Sequence, residues 1–430
     1  MSIQRKTFGT SCPTIGICLM LAMGIAIAHF HLLHLPYLYW LLILLGFVAG
    51  SIVARNIKAK TTLLYMAILA MGGTLTVWHE TNTGDTAQVY TYQDLTSLDK
   101  AKLRMLDYRQ HLAHQYESHH VEHQNYAIVA AMTLGDKTNL SQDTRHTFSS
   151  SGASHVLAIS GLHIGIIFQM LILLFGRKKN HQLFSLPLSL LAIWAYVFFI
   201  GLPASAVRSA FMISVYCFSL LTRRNSPAIN SLALAAIIML LINPTYLFDV
   251  SFQLSFSAVL SILLLYKHIF RLLPQRVTFF DPIKWIWGMM SVSLAAQIGT
   301  APLIAYYFGT LSCYSLVSSL IAIPAATIIL YTSLALLIAS AFISLASLQD
   351  FLSIILSFVA TLTQRALEAI AQLPGASIEG IKINIPQLGL IYVTIIVGCL
   401  LIHKLRQCHL HQIHLATFVD TGYTHRECQT

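Results

Sequence analysis

The densest group of chemically competent side chains in the sequence is Ser154-His155-Val156-Leu157-Ala158-Ile159-Ser160-Gly161-Leu162-His163-Ile164-Gly165. Ser160 and His163 are three residues apart and so neighbours on a helix, and a serine beside an imidazole base is the arrangement of nucleophilic hydrolysis. The surrounding pattern argues against that chemistry. Serine proteases that work inside membranes carry Gly-x-Ser-Gly with a histidine from another helix; here Ala158 stands at the first glycine, and the later His181 and His268 lie at or beyond the ends of apolar runs. A metal shared by His155 and His163 is also poorly supported, because eight residues at 1.5 Å each place them about 12 Å apart on a straight helix. Gly161 and Gly165 suit close helix packing or an unwound segment facing a cavity.

Three further sets of polar residues interrupt apolar runs in helical register: Ser205, Arg208 and Ser209; Asp249, Gln253 and Ser257; Ser293, Gln297 and Thr300. Each set falls on one helix face. Polar groups inside hydrocarbon are costly, so such faces either hydrogen-bond to neighbouring helices or line a hydrated path. Candidate path residues are therefore His155, Ser160, His163, Ser205, Arg208, Asp249, Gln253, Ser257, Ser293, Gln297 and Thr300. Arg208 is a permanent cation that must face water, a carboxylate or a phosphate, and Asp249 is the nearest carboxylate in topology. No residue is assigned to catalysis or to a metal. The sequence has no Gly-x-x-x-x-Gly-Lys-Ser/Thr loop, no dinucleotide fingerprint and no CxxC pair, so it implies no cofactor and no ATP motor of its own. The seven cysteines are scattered and read as small apolar packing residues.

The elements that position these residues follow from composition. Of 430 residues, 56% are hydrophobic and only 10% charged, with a mean hydropathy of +0.69. A soluble chain carries about 25% charged residues, so this composition defines a polytopic membrane protein. Helices of about 20 apolar residues are expected at 13–33, 36–54, 61–78, 154–176, 183–201, 203–221, 228–243, 251–266, 285–302, 312–330, 332–348 and 385–403. The stretch 351–373 is apolar but holds Gln364, Arg365 and Glu368, and reads as an amphipathic interfacial helix. The fold class is thus all-α: an inner-membrane bundle of about 10–12 transmembrane helices with one short, mostly helical extracytoplasmic insertion.

Sixteen of the 26 basic residues, from Arg5 and Lys6 to Lys404 and Arg406, fall on one side of alternating spans. By the positive-inside rule that side is the cytoplasm, and both termini lie there. The net charge of +10 needs no nucleic acid to explain it. Residues 1–78 form N-terminal spans, 79–150 an extracytoplasmic segment, 151–404 the membrane core and 405–430 a cytoplasmic tail. The insertion holds nine of the 16 acids and seven of the 19 histidines. Leu95, Leu98, Leu103, Leu106 and Leu112 recur among its charges at roughly helical spacing, and His111, His114, His119, His120 and His123 read as a solvated helical face rather than a metal site. Ser141, with Asp143 in the first turn, is expected to cap a short helix ending near Ser149.

Ordered motifs give the chain a resemblance. Thr133-Leu134-Gly135-Asp136-Lys137 leads into the Ser154–Ile164 segment; Gly201-Leu202-Pro203-Ala204-Ser205-Ala206-Val207-Arg208-Ser209-Ala210 follows. Asn243-Pro244, Asp249-Val250-Ser251-Phe252-Gln253-Leu254-Ser255-Phe256, Gln297-Ile298-Gly299-Thr300-Ala301-Pro302-Leu303, Phe308-Gly309 and Ile323-Pro324 complete the series. Over about residues 125–380 the chain resembles ComEC-type competence proteins, the inner-membrane channels of natural transformation in bacteria. The resemblance implies passage of single-stranded DNA across the cytoplasmic membrane. It also implies membrane lipid, a separate DNA receptor, and a cytoplasmic motor or single-strand-binding proteins as partners; a homo-oligomer is left open. Long members carry an OB-like domain and a metallo-β-lactamase-like domain. Residues 80–93 are too few for the former, and the latter's His-x-His-x-Asp-His motif is missing, His409-Leu410-His411 being a superficial echo. The expectation is a non-enzymatic channel of short form; a small-solute transporter or an intramembrane hydrolase is the alternative.

Overall fold

The computed structural model describes residues 13–30, 35–82, 123–176, 182–222, 227–273, 281–340 and 346–401, with a few positions between 100 and 107. Among them the chain is an all-α, polytopic membrane bundle. Six helices are long and apolar enough to cross a membrane and six shorter ones are apolar along their length. The positions Leu95, Leu98, Leu106 and Leu112, the histidines His111, His114, His119 and His120, and the tail beyond residue 401 lie outside the described residues.

Helices α1 (Pro13–His29), α2 (Tyr37–Val53) and α3 (Ile57–Asn82) form an N-terminal unit. Small residues set its spacing, as is usual where helices pack without a hydrophobic driving force. A Cβ on Gly24 would run into the Leu69 carbonyl, one on Gly72 would lie 2.5 Å from the Leu21 carbonyl, and Gly73 lies under the buried Trp40 ring. At one end of this unit His29 pairs with Glu80 at 3.1 Å and stacks on Phe248 with ring centroids 4.0 Å apart.

Helix α4 (His123–Thr133) is the unexpected element of the polar insertion. Every residue from Tyr126 to Leu134 is buried, in a cluster shared with α13 (Ser315–Ser340) and α14 (Ala346–Ala371). A helix apolar all round belongs inside a bundle. Its eleven residues span about 16 Å, half of the 30 Å hydrocarbon core. Asn125 Nδ2 donates to Ser357 Oγ at 3.2 Å and to Thr361 Oγ1 at 2.8 Å, near the middle of α14. Helix α5 (Gln142–Ser150) starts as expected, the Ser141 side chain accepting from Thr144 N at 3.1 Å.

The core continues with α6 (Ser154–Leu157), α7 (Gly161–Phe175), α8 (Gln182–Phe199), α9 (Ala204–Leu221), α10 (Ala228–Ile242), α11 (Val250–Phe270) and α12 (Asp281–Phe308). A final apolar helix, α15, covers Ile385–Leu401. Two expectations are corrected here. The spans expected at 312–330 and 332–348 are largely one 26-residue helix, α13. The stretch read as interfacial is α14, equally long, packed along α13 and apolar enough to cross. Its buried side runs Gln349, Ser353, Leu356, Ala360, Thr363, Leu367, Ile370, a heptad-like seam that faces the bundle rather than the headgroups. The number of apolar helices is unchanged by the exchange. Beyond the membrane helices, β1 (Thr310–Ser312) pairs antiparallel with β2 (Ser377–Glu379), joining the α12–α13 turn to the α14–α15 connection.

Candidate functional site

The segment expected as one span at 154–176 is broken. Helices α6 and α7 are separated by Ala158–Ser160, where Ala158 (φ −107°, ψ 149°) and Ser160 (φ −117°, ψ 173°) are extended. Such a break frees backbone groups that hydrocarbon cannot satisfy. Neighbouring side chains satisfy them instead. Ser205 Oγ, in the first turn of α9, donates to the Ile159 carbonyl at 2.6 Å. Ser160 N donates to His163 Nδ1 at 3.2 Å, and Ser160 Oγ lies 2.9 Å from the same nitrogen. A backbone N–H can only donate, so Nδ1 is the acceptor and the proton resides on Nε2. His163 is fully buried and its Nε2 has no partner among the described residues. With Nδ1 accepting from the Ser160 backbone, the imidazole braces the break. A Cβ on Gly161 would lie 2.7 Å from Ser209 Oγ, so glycine here sets how closely α7 approaches α9.

Ser205→Ala should leave the Ile159 carbonyl buried without its donor, at a cost of about 1–3 kcal/mol. Thermal denaturation in detergent checks this; an unchanged midpoint would mean that the carbonyl does not depend on Ser205.

On the same face of α9, Arg208 is 3% exposed. Its Nη1 donates to Asp249 Oδ2 at 3.3 Å and its Nη2 to Ser251 Oγ at 2.6 Å, while Nε is without a partner among the described residues. Asp249 also caps α11, accepting from Ser251 N at 3.3 Å and Phe252 N at 3.2 Å. One carboxylate thus serves an orphan helix terminus and a buried cation together. Ser160, His163, Ser205, Arg208 and Asp249 are thereby brought into a polar seam across α7, α9 and α11.

A second group lies further along α11. Gln253 Nε2 donates to the Leu247 carbonyl at 2.9 Å and its Oε1 accepts from Tyr307 OH at 2.9 Å. Ser257 Oγ and Tyr392 OH both donate to the Gly299 carbonyl, at 3.0 and 2.7 Å. Pro302, inside α12, lacks the N–H that would bond the Ile298 carbonyl. The remaining expected residues are not drawn into either group. Thr300 bonds to Ala296 O of its own helix at 3.0 Å, and half-buried Ser293 and Gln297 make no side-chain hydrogen bond among the described residues. His155 is exposed, with Nδ1 3.2 Å from the Gly152 carbonyl. No cluster of three metal-ligating side chains occurs among the described residues. Sequence patterning missed Ser251, Tyr307 and Tyr392; only Ser251, two residues after a capping aspartate, carried a local signal.

The molecule is of the class of polytopic helical membrane proteins whose buried polar groups gather at an interrupted helix. The family model described as Competence protein matches residues 132–405, which include every element of the seam, and the chain belongs to that family. It is 29% identical over 237 residues to ComE operon protein 3 of Bacillus subtilis, covering 55% of this chain and 29% of that protein. With Recombination protein 2 of Haemophilus influenzae it shares 25% identity over 206 residues, 46% of this chain and 26% of that protein. An uncharacterized protein of Aquifex aeolicus is 32% identical over 183 residues, 42% of this chain and 40% of its own length. The chain therefore spans well under half of each of these relatives. No solved structure matches it.

Proposed function

We propose that this chain is the membrane conduit through which one strand of incoming DNA crosses the bacterial cytoplasmic membrane in natural transformation, without catalysing a reaction. The observation that carries the proposal is the break between α6 and α7, braced by α9 and lying within the family-matched residues. A polyanion can cross hydrocarbon only by a hydrated route, and irregular backbone at membrane depth is tolerated where it is buried in protein or lines such a route. Ser293 and Gln297, without side-chain hydrogen bonds among the described residues, would offer weak, replaceable contacts along it, with His155 at its mouth. Ser160, Ser205, Ser257 and Thr300, whose hydroxyl protons go to protein acceptors, would join its walls. His163, Arg208, Asp249 and Gln253 would hold its walls. A continuous basic groove would retain a single strand too tightly. In this reading a separate motor and a DNA receptor complete the system.

A deletion strain tests this when DNA bound at the surface is scored separately from DNA internalised. Binding should persist and internalisation should be lost; internalisation at the parental level would overturn the proposal, and a solute transporter predicts that result.

In the proposed orientation both termini are cytoplasmic. The twelve apolar helices, α1–α3 and α7–α15, give an even number of crossings, and the Lys/Arg clusters share one side. Reporter fusions after Trp78, Lys179 and Arg224 should then read outside, inside and inside. A cytoplasmic signal at the first would reverse the orientation of the N-terminal unit.

A further inference from the structure

Helix α14 carries a groove of about 390 Å³ lined by Ser353, Ile354, Ser357, Phe358, Thr361, Leu362 and Arg365. Its polar wall is already satisfied. Ser353 Oγ donates to Asp350 O at 2.8 Å, Thr361 Oγ1 to Ser357 O at 2.8 Å, and both Ser357 and Thr361 receive Asn125. The other edge is unsatisfied in a different sense. Ile354, Phe358 and Leu362 follow one another at i, i+4, i+8 and remain 67%, 65% and 56% exposed. Arg365, three residues beyond Leu362 on the same edge, is exposed and makes no ion pair or hydrogen bond among the described residues. Glu368, the nearest acid along the helix, is taken by Gln364 Nε2 at 2.8 Å.

This edge has the dimensions of a lipid. Arg365 lies six residues before the end of α14, and Ile354 lies about 16 Å deeper along the axis. That depth equals one leaflet of a hydrocarbon core of about 30 Å. A free cation at the shallow end calls for an anion; three apolar side chains below it call for a hydrocarbon chain. We propose that the α14 groove is a binding site for a phospholipid with an anionic headgroup, the phosphate resting on Arg365 and one acyl chain lying along Leu362, Phe358 and Ile354. The site is independent of the DNA path, so failure of either proposal leaves the other standing.

The full chain, purified in mild detergent and exchanged into mixed micelles with phosphatidylglycerol or phosphatidylcholine, tests it by native mass spectrometry. Wild type should retain phosphatidylglycerol at least tenfold better than phosphatidylcholine. Arg365→Gln should abolish the preference, Arg365→Lys should keep most of it, and Leu362→Trp, which fills the groove and spares the charge, should release the lipid. Equal retention of the two lipids, an unchanged preference in Arg365→Gln, or retention undiminished in Leu362→Trp would each overturn the site. Displacement of phosphatidylglycerol by a single-stranded oligonucleotide at equal concentration would assign Arg365 to nucleic acid and overturn it as well. Arg365 is exposed, so the charge variants are expected to fold, and a circular-dichroism spectrum verifies that.

Discussion

Asp249→Ala is expected to deplete folded protein from the membrane, and Asp249→Asn to do so by a smaller margin. Arg208 is 3% exposed and cannot shed its charge, so without the carboxylate it keeps only Ser251 as a hydrogen-bond partner among the described residues. Removing one member of a buried ion pair costs about 3–5 kcal/mol. Here the aspartate side chain is 40% exposed, and solvent screening places the loss at or below the bottom of that range. Alanine also removes the cap of α11, worth about 0.5–2 kcal/mol, whereas asparagine caps as well as aspartate. The difference between the two variants therefore reports the cap, and Asp249→Asn alone reports the ion pair. In an Arg208→Gln background the Asp249→Asn penalty should nearly vanish. Membrane abundance and melting in detergent measure both effects. If Arg208→Gln instead leaves abundance and melting at wild-type values while lowering DNA internalisation, the guanidinium acts on the strand itself, and its pairing with Asp249 is not its role.

Gly299→Val is expected to abolish the folded protein, the largest loss anticipated for a single substitution. Any Cβ at Gly299 would overlap Ser261 Oγ, and would lie 2.7 Å from Ser261 Cβ and 3.0 Å from the Ser257 carbonyl. The residue fixes the distance between α11 and α12, which are packed together along their length. Separating them would also withdraw the Gly299 carbonyl from Ser257 and Tyr392. Overpacking alone costs about 1–3 kcal/mol and the lost hydrogen bonds add about 0.5–1.5 kcal/mol each. Ser261→Gly should rescue Gly299→Ala in part, because it deletes the side chain in conflict and leaves only the Ser257 carbonyl close. Absence of rescue, with Ser261→Gly itself folded, would show that the α11–α12 spacing is set elsewhere.

Sequence reading reached the helical class and most helix positions because apolar runs bounded by Lys and Arg are a one-dimensional signal. It divided α13 in two because the run 312–348 is nearly twice the expected span length, and Pro324 and Tyr331 do not break it. It misplaced α14 because the polar Gln364 and the charged Arg365 and Glu368 were weighed as a sign of the headgroup region. Gln364 in fact donates a hydrogen bond to Glu368 along the helix, and Arg365 lies in the last two turns. Helix α4 was hidden for the opposite reason: Tyr126–Met132 is too short to read as a span, and its histidine-rich surroundings pull any averaged hydropathy down. At the site, same-face spacing on α9 and α11 was legible. Which helix would receive each polar group was not, because a hydrogen bond such as Tyr392 to Gly299 joins residues 93 positions apart.

The ribbon of β1 and β2 has a mechanical consequence. Its ladder is extended at both ends, Cys313 N donating to Ala376 O at 3.0 Å and Ile381 N to Gly309 O at 2.9 Å. A two-stranded ribbon this short has little stability of its own and persists because the helices it joins hold it in place. The chain from 309 to 381 therefore closes on itself as a hoop, with the α13–α14 hairpin as its long sides and the ribbon as its buckle. Sliding α13 past α14 by one helical turn, about 5.4 Å, would shear every rung of that ladder. At the interrupted helix there is no such ladder among the described residues: α7 and α9 are joined by the buried cluster of Ile159, Ile164, Ala206 and Ala210 and by the hydrogen bond from Ser205 to the Ile159 carbonyl. Stiffness is thus unevenly distributed: sliding within the hoop is opposed by backbone rungs as well as side chains, whereas the α7–α9 contact rests on side chains.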